Sequence, residues 1–158
     1  MANLDSDEPA PKAKSRATRS ARTKVMDLLA RRDHSELELC RKLAPHFPTD
    51  EILEAIAFAR ENNWLAPQEV IAERAAQALA RKNKSHRYIS RFLQNRGLPP
   101  MARDREGEVA KALAIVKPFL ARRQNFEVYQ ARRKIIRLLI NRGFDSETVG
   151  AALASLNF

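Results

Sequence analysis

Residues 39–43 read LCRKL, and this pattern decides the fold because it returns twice, as ISRFL at 89–93 and as IIRLL at 135–139. The copies are 50 and 46 residues apart. Each has apolar residues four positions apart, on one helix face, with an arginine between them. Repeats of this length hold about three short helices and stack in one dimension. The sequence therefore predicts an all-α fold of three tandem three-helix repeats in an elongated, curved array.

Helix boundaries in the first repeat follow from local chemistry. After a turn at Asp33, Ser35 and Glu38 have the spacing of a capping box, in which the serine oxygen accepts from the N3 amide and the glutamate accepts from the cap amide. Leu39 and Leu43 then form the apolar stripe of the next helix. These five residues form the predicted structural motif of the first repeat.

The later repeats have their own boundary signals. Gly97 and Gly143 each follow an apolar stripe, where glycine accepts the left-handed conformation that ends a helix. Ser85 and Asp145 precede further stripes and are predicted N-caps, as Thr49 is in the first repeat. The shared Asn-Arg-Gly-apolar ending of the second and third copies argues against chance similarity between amphipathic helices, which is the alternative explanation of the repeat.

The predicted organisation has four parts. Residues 1–19 lack apolar periodicity and are predicted to form a flexible tail. The three-helix repeats are predicted at 20–66, 67–107 and 108–158. The third helix of the middle repeat is the least strongly predicted, because two prolines follow soon after Gly97 and the segment has few apolar residues at helical spacing.

Composition narrows the class of protein. The 158 residues include only 4 glycines, too few for the turns of a sandwich or barrel, and a single cysteine, which fits a reducing compartment. No apolar run approaches the ~20 residues that span a bilayer, and residues 1–20 lack the apolar core of a secretory signal. We therefore expect a soluble cytoplasmic protein that does not bind membranes.

Positive charge is unevenly distributed along the chain. The formal net charge is +10, and by segment it is +1 over 1–20, −1 over 21–68, +4 over 69–108 and +6 over 109–158. This gradient favours a polyanionic partner contacted by the second and third repeats.

The candidate binding residues are basic side chains grouped around the repeated arginine. Guanidinium groups bind phosphate and carboxylate bidentately, so the group predicts a basic concave strip for DNA phosphates and acidic protein surface. An ordinary solvated helix face is the alternative. The candidates are Arg81, Lys82, Lys84, Arg87, Arg91, Arg96, Arg132, Arg133, Lys134, Arg137 and Arg142.

The sequence shows no catalytic centre. Carboxylates are scattered rather than clustered for metal ions, and no glycine-rich phosphate loop is present. His34 is interpreted as a turn residue, and Cys40, on an apolar stripe, as a buried small hydrophobe. We expect a protein that is not an enzyme, with no cofactor and no metal.

Several motifs resemble those of a known family. The run LARRDHS at 29–35, followed by EL and RKLA by residue 44, resembles the first-repeat signature of the RecX family, regulators of the RecA recombinase. LINRGF at 139–144 resembles that family's third-repeat signature, and RKNK at 81–84 with the stripe after it is similar to its second-repeat core. The resemblance covers residues 21–157.

This resemblance implies a monomer that binds in the groove of a RecA–DNA filament, contacting single- or double-stranded DNA directly or through the filament. It implies suppression of the ATPase and strand exchange of RecA, by filament disassembly or blocked extension, and so a role in recombination, DNA repair and the SOS response.

A direct DNA-binding protein of helix-turn-helix type, such as a transcription regulator, is the alternative. Three-helix units and the net charge allow it. No repeat, however, has an obvious recognition helix with Asn, Gln and Arg on one face.

Overall fold

The structure, a computed structural model, describes residues 20–122 and 127–157. This part of the chain contains eight α-helices and no β-strand, which confirms the all-α prediction. In chain order the helices are α1 (Ala21–Leu29), α2 (Glu36–Leu43), α3 (Thr49–Glu61), α4 (Gln68–Arg81), α5 (His86–Asn95), α6 (Arg105–Ala121), α7 (Val128–Asn141) and α8 (Ser146–Ser155). The predicted tail, residues 1–19, lies outside the described residues.

The first unit consists of α1, α2 and α3 packed around one apolar core. Leu39 and Leu43 of α2 are completely buried there against Val25 of α1, and burying each leucine contributes about 1.5–3 kcal/mol. The predicted capping box is present: the Glu38 amide donates to Ser35 Oγ at 3.1 Å, and the Ser35 amide donates to Glu38 Oε2 at 3.1 Å.

The predicted cap at Thr49 is wrong by one residue. Pro48 occupies the cap position of α3, with φ −61° and ψ 153°, and Thr49 is the first helical residue, without a side-chain cap hydrogen bond. The proline ring fixes a φ that suits the start of a helix, so the helix begins directly after it. Asp50 and Glu51 lie in the first turn, where the helix dipole favours negative charge.

The middle unit differs from the predicted three-helix repeat. It contains α4 and α5, which pack around Ile71, Ile89 and Leu93, while residues 98–104 form no helix. Prolines lack an amide hydrogen and hold the preceding residue in an extended conformation, so the Pro99–Pro100 pair prevents a helix here. The next helix, α6, spans the predicted boundary at 107/108 and belongs to the third unit.

The third unit consists of α6, α7 and α8 around a separate core. Val116 of α6, Ile135 and Leu139 of α7 and Ala152 of α8 are completely buried in it. As predicted, Asp145 caps α8, with its Oδ1 accepting from the Thr148 amide at 2.8 Å.

The two predicted helix-ending glycines have positive φ. Gly97 has φ +65° and Gly143 has φ +84°, a region that side chains with a Cβ rarely adopt. Each glycine follows the second helix of its unit, as the repeat predicts. Ser85 accepts from the Tyr88 amide at 3.3 Å and so caps α5, also as predicted.

The first joint, between the first and middle units, brings the C-terminal end of α5 against α2. Ser35 Oγ donates to the Arg96 carbonyl at 2.5 Å, and the Arg41 guanidinium donates to the Asn95 carbonyl at 2.8 Å. The last carbonyls of a helix have no partner within it, and these two contacts supply partners for the end of α5.

The second joint, between the middle and third units, uses a buried carboxylate. Glu108 of α6, only 3% exposed, accepts from the His86 amide at 2.9 Å and pairs with Lys111. At the same joint Gly143 lies over Ser85, so a Cβ at position 143 would be 3.0 Å from the Ser85 Oγ. The N-terminal end of α5 is thus held by α6 and by the end of α7.

Arg103 ties the segment before α6 to the start of α8. Its guanidinium lies 2.6 Å from the Asp145 carboxylate and donates to Thr148 Oγ1 at 3.1 Å. The hydrogen bond from the Thr148 amide holds the pKa of Asp145 below its ordinary value of 3.8, and the positive charge of Arg103 acts in the same direction.

Candidate polyanion-binding surface

The predicted basic residues lie at three places in the fold. Arg81, Lys82 and Lys84 lie at the end of α4 and in the turn after it; Arg87 and Arg91 lie on α5; the later five lie on α7 or directly after it. All of these ten side chains are exposed. Exposure is a requirement for binding a polyanionic partner, and all ten side chains meet it.

Arg96 differs from the other ten in being only partly exposed, and its guanidinium contacts residues of two units. It lies 4.2 Å from the centre of the Phe92 ring and its Nε is 3.4 Å from Glu38 Oε1. Arg96 therefore helps to hold the first joint. Sequence reasoning missed this because Glu38 lies in a different repeat.

A groove at the second joint brings together basic residues that are far apart in sequence. It has a volume of about 470 Å³, and we call it the basic groove. Lys84 Nζ lies 4.8 Å from the centre of the Tyr88 ring, a cation–π contact at its edge. The groove is lined by Lys82, Asn83, Lys84, Tyr88, Ile115, Asn141 and Arg142.

The arginine pairs of α5 and α7 are each four residues apart, so the members of a pair share a helix face. Arg87 and Arg91 form the pair on α5, and Arg133 and Arg137 form the pair on α7; all four are exposed. Forked guanidinium donors at this spacing suit a row of phosphates or carboxylates.

Two exposed tyrosines were missed by sequence reasoning. Tyr88 is 45% exposed and Tyr129 is 67% exposed. The guanidinium of Arg133 lies 5.7 Å from the centre of the Tyr129 ring. The available signal was the position of each tyrosine beside a predicted arginine pair. An exposed aromatic ring next to cations can stack on a base or pack against a protein surface.

The predicted motif residues of the first repeat have structural contacts. Asp33 is exposed and pairs with Arg74 of α4 at 2.9 Å. His34 is 3% exposed, and its Nδ1 lies 2.9 Å from the Arg32 carbonyl. Burial lowers the pKa of His34 from its ordinary value of 6.5. His34 is therefore a buried turn residue, and Cys40 is half-buried beside the first core.

The groups that the surface presents are suited to binding anions. Over residues 20–122 and 127–157, no group of three or more His, Cys, Asp or Glu side chains could hold a metal ion. Within the same ranges no helix has the length and apolar character needed to cross a membrane. The exposed guanidinium and ammonium groups can bind phosphate or carboxylate.

Comparison with known proteins identifies the family. Residues 21–58 match the family model described as RecX, first three-helix domain. The Regulatory protein RecX of Neisseria gonorrhoeae (strain NCCP11945) is 35% identical over 145 residues, which cover 85% of this chain and 90% of that protein. The chain belongs to the RecX family. The Regulatory protein RecX of Ralstonia nicotianae is 29% identical over 138 residues, 82% of this chain and 84% of that protein.

Solved RecX structures have the same fold. The crystal structure of RecX from Lactobacillus salivarius aligns with a TM-score of 0.77 at 16% identity, over 87% of this chain and 94% of that one. A second crystal structure of regulatory protein RecX aligns with a TM-score of 0.70 at 16% identity, over 84% and 70%. The predicted RecX resemblance and the helical-repeat fold are both confirmed.

Proposed function

We propose that this chain binds filaments of the RecA recombinase on DNA and modulates them, mainly by inhibiting their ATPase and strand exchange, and thereby regulates recombination and DNA repair. Membership in a family of regulatory proteins supports a regulatory role. The observation that carries the proposal is the set of ten exposed cations on the middle and third units, with the basic groove between them.

The mechanism is occupation of the filament by a body with several contact points. Helical repeats present an extended surface along which successive units can contact successive sites. Cations on α5 and α7 would contact DNA phosphates or recombinase carboxylates, and a chain bridging neighbouring protomers would alter filament growth or ATP turnover. The action requires no chemistry by the chain itself and no cofactor.

The direct test adds the purified protein to RecA, single-stranded DNA and ATP. We expect ATP hydrolysis and strand exchange to fall at stoichiometric ratios. Unchanged rates of both reactions would refute the proposal.

Charge reversal tests the surface. Arg91→Glu, Arg137→Glu and the double variant are each expected to weaken filament binding, with about tenfold lost for each 1.4 kcal/mol of interaction removed. Lys42→Glu with Lys117→Glu is the matched control, because both lysines are exposed cations outside the proposed strip. Equal binding by the Arg91/Arg137 double variant and the wild type would refute the assignment of the strip while leaving the family intact.

Direct reading of duplex DNA is a second candidate, because one helix has the side chains of a recognition helix, contrary to the expectation from sequence that no repeat has one: this helix is α5. Its exposed side chains include Arg87, Arg91, Gln94 and Asn95, types that hydrogen-bond to base edges in the major groove. Retention of one duplex sequence over others at moderate salt, without recombinase, would support this function. Binding that is independent of sequence and fades steeply with salt would indicate phosphate contacts alone.

A further inference from the structure

The walls of the basic groove come from both sides of the second joint. The turn after α4 contributes Lys82 and Lys84, and the end of α7 contributes Arg142. Across this joint the buried Glu108 of α6 accepts from the His86 amide of α5 at 2.9 Å. Because its walls belong to two units, the groove depends on the stacking of the middle unit against the third.

The charged side chains that line the groove are all positive. Lys82, Lys84 and Arg142 are exposed there, and no acidic side chain is among the lining residues in the part of the chain that the structure describes. Lys111 of α6 donates to the Lys84 carbonyl at 3.1 Å and so helps to hold the turn that carries two of the cations. An anion that enters the groove therefore meets three cations without a carboxylate of the lining to compete for them.

The groove also contains groups that a site for phosphate alone does not need. The Tyr88 ring is 45% exposed, and Ile115 adds apolar surface. Asn83 and Asn141 add amides, which can both donate and accept hydrogen bonds. A nucleotide uses all of these groups, because its base stacks on aromatic rings and hydrogen-bonds through its edge while its phosphate pairs with cations. The volume of about 470 Å³ lies within the range of small-ligand sites, ~300–1,000 Å³.

The position of Lys84 shows how the ring and the cations can share one nucleotide. Its Nζ lies 4.8 Å from the centre of the Tyr88 ring. The lysine side chain has a flexible four-carbon stem, and an exposed cation–π contact is weaker than the stacking of a base on an aromatic ring. A base can therefore replace the ammonium over the ring, and the displaced ammonium stays within reach of the phosphate attached to that base.

We propose that the basic groove holds one nucleotide of single-stranded DNA, with its base stacked on Tyr88 and its phosphates paired with Lys82, Lys84 and Arg142. The inference deepens the proposed function and rests on it for the choice of DNA as the strand. A base within a duplex is already stacked and paired, so the ring selects a single strand. A protein carboxylate would pair with the cations but would leave the ring and the amides without a partner.

Two oligomers with the same number of phosphates, an oligothymidylate and an abasic strand, test the stacked base. We expect Tyr88→Leu to bind the oligothymidylate about tenfold more weakly and the abasic strand within about twofold of the wild type. Tyr88→Phe, which keeps the ring, is the matched control and is expected to bind both strands as the wild type does. The salt dependence of affinity is expected to be the same in all three chains, since no cation is removed. Equal losses for the two strands would overturn the inference, and unfolding midpoints of the variants verify folding.

An indole in the groove reports stacking directly. Trp64 is the single tryptophan of the chain, so Trp64→Phe with Tyr88→Trp leaves one indole, at position 88. We expect the oligothymidylate to quench its fluorescence and the abasic strand to leave it nearly unchanged. Thymidine triphosphate is expected to need a concentration about a hundredfold higher, because it makes no further contacts along the strip. Quenching by the triphosphate at the concentration of the oligomer would assign the groove to free nucleotides and overturn the inference.

The inference and the proposed function fail in different measurements. Unchanged affinity of Tyr88→Leu for the oligothymidylate would overturn the stacked base and leave the regulation of RecA standing. Unchanged ATP hydrolysis and strand exchange by RecA in the presence of the wild-type chain would overturn the proposed function, while base-dependent quenching at position 88 would still locate the nucleotide site.

Discussion

At the scale of single residues, Glu38 joins both sides of the first joint. Its carboxylate accepts from the Ser35 amide at 3.1 Å and from Arg32 at 3.0 Å, and lies 3.4 Å from Arg96. Burial alone would raise the pKa of Glu38, but the hydrogen bonds from Arg32 and Ser35, with the charge of Arg96, outweigh it. They hold the pKa below its ordinary value of 4.5. The Glu38 carboxylate therefore binds a proton more weakly in the folded chain than in the unfolded chain.

The pH dependence of stability follows from this shift. The ionised Glu38 stabilises the fold above about pH 4.5, and this contribution disappears as the pH falls through the lower pKa of the folded state. We expect the difference in free energy of unfolding between wild type and Glu38→Gln to be greatest near neutral pH and to decrease as the pH falls below 4.5 and through the lower pKa of the folded state. Urea unfolding at several pH values measures it, with Glu61→Gln as the control for losing one surface charge. A difference that is independent of pH would contradict the prediction.

Contacts within a few residues of sequence could be predicted, and distant ones could not. The Ser35–Glu38 box lies within one helical turn, so its spacing alone identifies it. The contact of Arg41 with the Asn95 carbonyl spans 54 residues, and that of the His86 amide with Glu108 spans 22. Such partners depend on how the units stack, which the pattern within one helix does not determine.

At the scale of helices, replacing each of two glycines by alanine should change the stability of the chain in opposite directions. Gly97 has φ +65°, and a Cβ there would lie 2.9 Å from the Cβ of Leu37. Gly150 lies within α8 with nothing inside 4 Å of an added Cβ.

We expect Gly97→Ala to destabilise the chain by about 1–3 kcal/mol, since alanine must adopt a left-handed conformation at a crowded joint. We expect Gly150→Ala to stabilise it by about 0.5–1 kcal/mol, since alanine favours the helix and meets no neighbour. Thermal unfolding of both variants provides the check, each serving as the other's control. Shifts of the same sign would refute the structural explanation.

The helices themselves were largely predictable, because their apolar stripes recur at helical spacing. The error lay at residues 98–104, where the repeat favoured a third helix and the local chemistry of Pro99–Pro100 prevented it. The groups of basic residues were also visible in sequence. Their meeting at the basic groove was not, since Lys84 and Arg142 approach each other only through the second joint.

At the scale of the whole molecule, three apolar cores are linked by polar contacts. Arg103 connects the segment before α6 with the first turn of α8 through Asp145 and Thr148. At the first joint, Arg74 and Asp33 form an ion pair whose side chains are 65% and 46% exposed. Exposed pairs contribute little, whereas a half-buried guanidinium with several partners contributes more.

Amide hydrogen exchange distinguishes the contacts of Arg103 from the exposed ion pair between Arg74 and Asp33. We expect Arg103→Ala to speed amide exchange in the first turn of α8 by about threefold to tenfold and to leave α1–α3 unchanged, because each unit has its own core. Arg74→Ala, the matched control at the first joint, should leave exchange nearly unchanged both in α8 and in α1–α3. Faster exchange throughout the chain after Arg103→Ala would mean that the units unfold as one.

The buried Glu108 restricts where this protein can be divided into fragments. Its carboxylate lies on α6, in the third unit, but it accepts from the His86 amide at the start of α5, in the middle unit. A fragment that ends at residue 107 would lose that acceptor, and one that begins at residue 108 would lose the first turn of α6 and its Asp104 cap. For protein engineering, a boundary at 107/108 is therefore unsuitable, and a fragment that keeps the contact between His86 and Glu108 has to contain both α5 and the whole of α6.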